Sequence, residues 1–150
     1  MLGMDMFRGR VPWPMVLVLL LLRFTTTLPH DRTIDFSEQF AGTAVISAAC
    51  RSLGLRGHSQ DVLYSRAMNM LTPAGFALRA LSTMRLRPGA ILPMGPVCSS
   101  WVWMCRKQSR RSFTCPLGDE DAEFVAHGNL MISRVVLLIL LAALLEACDS

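Results

Sequence analysis

A cysteine, Cys98, stands directly after Gly95-Pro96-Val97, just past a short apolar run at residues 90–94 that reads as a strand interrupted by Pro93. A thiol attacks only as its thiolate, and an unperturbed cysteine of pKa about 8.5 is only slightly ionised at neutral pH, so nearby positive charge would activate it. Such charge is close along the chain, because Arg106, Lys107, Arg110 and Arg111 lie within six positions. The same four side chains could hold phosphates. They are followed by Asp119, Glu120, Asp121 and Glu123, so the alternative is a pair of solvated surface turns of opposite sign. Trp101 and Trp103 beside the cluster can stack on nucleotides or simply pack.

Other chemistry is excluded by residue type and spacing. Five cysteines, Cys50, Cys98, Cys105, Cys115 and Cys148, contain no Cys-x-x-Cys pair and have no histidine at ligand spacing, which argues against a structural zinc site. No metal site is expected from His30, His58 and His127, which are scattered. The odd cysteine count argues against a closed disulfide framework and for a reducing, intracellular setting. A net charge of +4 over 150 residues is too small to name a partner by itself, and 52% hydrophobic residues are too many for a disordered chain. One domain at most is expected.

The elements that must carry these residues are legible in part. The opening sequence has Arg8 and Arg10 before eight apolar residues at 15–22, the layout of a secretory signal or short membrane anchor. Eight residues are too few to span a bilayer, so residues 1–32 are read as a hydrophobic leader: signal-like, anchoring or without a fold. A domain over 33–150 then begins with a half-polar strand at 34–40 and the turn Ala41-Gly42-Thr43. A helix at 44–53 follows, with Val45, Ala48, Ala49 and Leu53 on one stripe and Gly54 as its cap. Residues 55–61 form a second strand of poor propensity. Strand, glycine turn, helix and strand are the start of a βαβ unit.

The next helix has Thr72 as N-cap and Pro73 at its first position, with Phe76, Ala77, Ala80, Leu81 and Met84 on one face, and stops at Arg87-Pro88-Gly89. Residues 99–128 read as a long irregular connection, and 129–147 as a helix. Its eleven unbroken apolar residues at 135–145 predict a core helix buried nearly all round, with a membrane segment as the alternative.

The ordered set FAGT at 40–43, Asp61, TPAGF at 72–76, RPGA at 87–90, GPVCSSW at 95–101 and NLMISR at 129–134 resembles a methyltransferase-like family of uncharacterised predicted proteins from algal protists. More distantly it resembles the amino-terminal half of cytosine-5 DNA methyltransferases. The resemblance covers roughly residues 33–146 and rests on the order and spacing of the whole set. It implies an α/β fold, a truncated Rossmann-like S-adenosylmethionine methyltransferase domain.

The resemblance also implies roles. Phe40, Ala41, Gly42 and Thr43 would approach the methionine moiety of S-adenosylmethionine through backbone amides, Asp61 would accept the ribose hydroxyls, and Asn69 would face the adenine. Cys98 would attack the ring of a target base, and Arg106, Lys107, Arg110 and Arg111 would hold nucleic-acid phosphates while that base is extruded. Where this chain departs from the pattern, Ala44 replaces a common second glycine, Val97 a proline and Asn69 an aspartate. A later Glu-Asn-Val type motif has no counterpart unless Glu146 begins it. The expected function is therefore that of a truncated or degenerate methyltransferase relative, nucleobase-directed if active, with cofactor binding more durable than turnover. A partner chain would be expected over the exposed half-sheet. The alternative is a small membrane-associated or secreted protein in which the leader and the apolar carboxyl-terminal block touch lipid.

Overall fold

The computed structural model describes residues 31–147. Of the expected leader only Asp31 and Arg32 fall inside that range; the rest lies outside the described residues. The fold is α/β. Three strands, β1 (Ile34–Gln39), β2 (Gly57–Gln60) and β3 (Leu86–Ile91), form a parallel sheet in the order β2-β1-β3. Helix α1 (Val45–Ser52) connects β1 to β2, and α2 (Pro73–Met84), preceded by a 3-10 turn at Arg66–Met68, connects β2 to β3. Beyond β3 come a 3-10 turn at Trp103–Cys105, the single-turn α3 (Arg106–Ser109) and the long α4 (Glu123–Ala147).

All six residues of β1 are buried, although four of them are polar or charged. Because successive strand side chains point to opposite faces, Glu38 and Gln39 meet different helices. Glu38 accepts hydrogen bonds from the Ser47 amide, at 2.8 Å, and hydroxyl on α1. Gln39 accepts one from Arg79 on α2 at 2.7 Å. The helices therefore cover opposite faces of the sheet.

A polar sheet dictates how they dock. The stripe expected to be buried on α1 faces outward, with Val45 and Leu53 exposed and Ser47 and Cys50 buried instead. A buried carboxylate without a partner costs more than an exposed valine. On α2, Phe76 and Ala80 do pack into the apolar core, but Ala77 and Leu81 are exposed. Gly75, Arg79, Ser82 and Thr83 are the buried positions. Thr72 caps the helix as expected, its Oγ1 accepting from the Gly75 amide at 3.1 Å.

β2 forms despite its weak propensity. Its register sets Gly57 opposite Phe36 and Gln60 opposite Gln39, and a Cβ at Gly57 would lie 2.1 Å from the Phe36 carbonyl oxygen. Only glycine admits that approach. β3 starts four residues earlier than the run at 90–94. Arg87-Pro88-Gly89, expected as a helix stop, lies inside the strand as an irregularity between the pairs Ile34–Leu86 and Phe36–Ile91. Gly89 takes a left-handed φ of 71° there. Proline is tolerated because β3 is an edge strand. Pairing then continues past Ile91, with the Gln39 amide donating to the Pro93 carbonyl at 2.9 Å and Gly95 donating to Gln39 at 3.2 Å.

α4 begins at Glu123, six residues before the expected start, and Gly128 lies inside it. A Cβ on Gly128 would meet Ser100 Oγ at 2.4 Å, so this glycine is a docking point rather than a terminator. The helix is not buried all round. Met131, Val135 and Leu138 join Met70, Phe40, Phe76, Ala80 and Met94 in the core, whereas Val136, Ile139, Leu140 and Leu144 face outward. Arg134 fixes its rotation by donating to the carbonyls of Met70 and Thr72.

Candidate functional site

The carboxyl ends of β1 and β2 bring the loop at 40–44 against Asp61. Three of the loop's residues take left-handed φ: Phe40 at 59°, Gly42 at 52° and Ala44 at 56°. This winding turns the chain from the strand into α1 and directs the Gly42 amide at Asp61 Oδ2, 2.9 Å away. Asp61 Oδ1 accepts from the Leu63 amide at 2.8 Å. The carboxylate is buried, with each oxygen holding one backbone donor and keeping further lone-pair capacity. Tyr64 closes the turn from outside by donating its hydroxyl to the Gly42 carbonyl at 2.7 Å.

Asn69 lies beyond the 3-10 turn, just before α2. Its Oδ1 accepts from the Leu71 amide at 2.9 Å and its carbonyl accepts from Thr72. The side-chain NH2 has no acceptor among the described residues. Arg79 ties the two regions together from below: it donates to Gln39 Oε1, to the Gln60 carbonyl at 3.4 Å and to the Met68 carbonyl at 3.0 Å. Its guanidinium lies 4.7 Å from the centre of the Phe40 ring. Burial pushes its pKa below the ordinary arginine value, and Asp61 acts in the opposite sense. The signal for Arg79 was present in the sequence, as a cation inside the Phe76–Ala80–Thr83 spacing of α2.

The face of the loop away from Asp61 is open, since a Cβ built on Gly42 meets nothing within 4 Å. The first amides of α1, on Val45 and Ile46, have no acceptor among the described residues. The third, on Ser47, is taken by Glu38.

Cys98 is exposed on the segment after β3, with its carbonyl accepting from the Trp101 amide at 2.8 Å. The four basic residues separate into different tasks. Arg111 donates to the carbonyls of Ser100 and Pro116 and to Asn129 Oδ1, and stacks 3.5 Å from the centre of the Trp101 ring. Partial burial lowers its pKa, against the pull of Glu120. It holds the connection together. Arg110 pairs with Asp119 at 3.2 Å. Arg106 stacks on Trp103, at 4.7 Å, and Lys107 is exposed.

The connection expected to be irregular is thus folded around Arg111. It encloses a cleft of about 420 Å³ lined by Trp101, Trp103, Arg106, Ser109 and Phe113 among others, and a neighbouring one of about 760 Å³ shares Trp103 and Arg106. Phe113, Met104 and Ser109 were not singled out by sequence; the aromatic and basic residues between 101 and 113 were the available signal. Among the described residues no group of three or more His, Cys, Asp or Glu side chains could hold a metal ion. The chain matches no family model, no curated protein and no solved structure.

Proposed function

We propose that the chain is an S-adenosylmethionine-binding, methyltransferase-like α/β domain of Rossmann-like type whose acceptor is a nucleobase. The observation that carries this reading is the meeting of the left-handed loop at 40–44 with Asp61 at the carboxyl ends of two adjacent parallel strands. The chain leaves β1 toward β2 on one side and returns to β3 on the other. In open α/β sheets such a reversal marks the crevice in which ligands bind. Here the free amides of Val45 and Ile46 would receive an anionic or carbonyl group, the Asp61 carboxylate would accept ribose hydroxyls and Asn69 would donate to a ring nitrogen. Bound there, S-adenosylmethionine supplies a methyl group. Cys98, exposed beyond β3, is the nucleophile available to a base.

The test is thermal unfolding of the full chain with and without S-adenosylmethionine. Ligand that binds only the folded state must raise the midpoint by mass action. Gly42→Val and Gly54→Val place the same strain at left-handed glycines with equally open surroundings, φ 52° and 77°. The ligand shift is expected to survive Gly54→Val and vanish in Gly42→Val. A wild-type chain that unfolds cooperatively without any shift would refute the reading.

A second reading is supported by α4. Residues Glu123–Glu146 are long and apolar enough to cross a membrane by length and composition, with a mean hydropathy of 2.2 and most of the stretch not buried. The Arg134 contacts favour the docked helix. Extraction with alkaline carbonate separates the two, because a chain held by α4 in a bilayer stays with the membrane.

A further inference from the structure

The two joined clefts at residues 100–116 are not used by the cofactor reading. We propose that they form a binding trough for single-stranded nucleic acid, with bases stacking on Trp103 and Phe113 and phosphates meeting Arg106 and Lys107. Three observations on different atoms support this.

First, large apolar side chains rarely stand in water without a role when they cluster. Trp103 is 77% exposed and Phe113 is 100% exposed, and both line one cleft. Both offer flat faces, and base stacking on such rings tolerates any sequence. Second, the cations of the trough are sorted. Arg111 is consumed by the internal hydrogen bonds described above, and Arg110 has Asp119. Arg106 and Lys107 line the second cleft with no carboxylate partner among the described residues, and the Arg106 guanidinium is oriented by its stack on Trp103. Among the described residues no acidic side chain lines either cleft. Third, Ser109 Oγ is buried without a hydrogen-bond partner although the residue lines the first cleft. A buried hydroxyl with no partner is an uncompensated cost unless a ligand completes it.

The ligand chemistry follows from these groups: planar rings joined by phosphates at short spacing. A single nucleotide offers one ring and one phosphate site, whereas two clefts meeting at Trp103 and Arg106 repeat the pair. A duplex hides its ring faces, so charge alone would remain to bind it.

The experiment uses the full chain without S-adenosylmethionine, so that it stands apart from the cofactor test. A fluorescein-labelled twelve-nucleotide oligo-dT is titrated and followed by anisotropy, beside a duplex of equal length and thymidine monophosphate as competitor. Trp103→Ala and Phe113→Ala are expected to weaken oligo-dT binding roughly five- to hundred-fold each. Lys107→Gln should flatten the slope of log K against log salt by about 0.7. Ser109→Ala should weaken binding while leaving the unfolding midpoint level or higher, an outcome that a purely structural hydroxyl would not give. Equal affinity for duplex, efficient displacement by the mononucleotide, or indifference to both aromatic variants would overturn the proposal.

Discussion

Ala44 shows how one side chain can be wrong for its backbone and remain in place. It sits at the N-cap of α1 with φ 56° and ψ 37°, a left-handed conformation that costs an L-residue with a Cβ roughly 1–2 kcal/mol. The residues on either side leave it no choice, since Gly42 must present its amide to Asp61 and Ser47 must reach Glu38. Glycine relieves the strain but adds freedom to the unfolded chain. Ala44→Gly is therefore expected to stabilise by about 0.5–1 kcal/mol, read as a higher urea midpoint at unchanged slope. Arg79 makes the opposite case. It is 1% exposed, has no carboxylate in contact among the described residues and serves acceptors on β1, at the end of β2 and on the turn before α2. Arg79→Met keeps much of the volume yet leaves those acceptors dry. The expected loss is about 2–4 kcal/mol in the same urea experiment.

At the scale of elements, the sequence was most legible where backbone rules act alone. The turn after β1 and the Thr72 cap with Pro73 follow from glycine, proline and capping chemistry, and all three strands are present, although β3 starts four residues before the run that marked it. Helix orientation was not legible from apolar spacing. Both α1 and α2 turn polar side chains to the sheet because Ser37, Glu38, Gln39 and Gln60 are buried there and need partners. A stripe count assigns no value to a carboxylate waiting on the neighbouring strand. The site followed the same division: the loop and Asp61 are local to strand ends, whereas the tasks of Arg106, Lys107, Arg110 and Arg111 depend on how the connection folds back. Gly128 marks that folding, since α4 docks on Ser100 through it. Gly128→Ala is expected to cost about 1–3 kcal/mol by overpacking. Adding Ser100→Ala should return part of that loss, because the atom in the way is the Ser100 hydroxyl. A double-mutant cycle measures the return directly.

The whole molecule joins an interior rich in hydrogen bonds to a small apolar core placed between α2 and α4. This arrangement makes α4 asymmetric in a way its composition conceals. Leu138 is fully buried and Ile139, its neighbour, is 52% exposed. In water the two positions must respond differently. Leu138→Gln puts an amide into the core without a partner and is expected to remove about 3–5 kcal/mol, enough to unfold a domain of this size. Ile139→Gln exchanges outward apolar surface for polar surface and should leave the unfolding midpoint nearly unchanged. It should also reduce association at high concentration, read by sedimentation velocity. If the outward stripe instead faced acyl chains, the order would change, because an amide at Ile139 would then be the costly one. Comparing the two variants in the same buffer tells which solvent the outer face of α4 is built for.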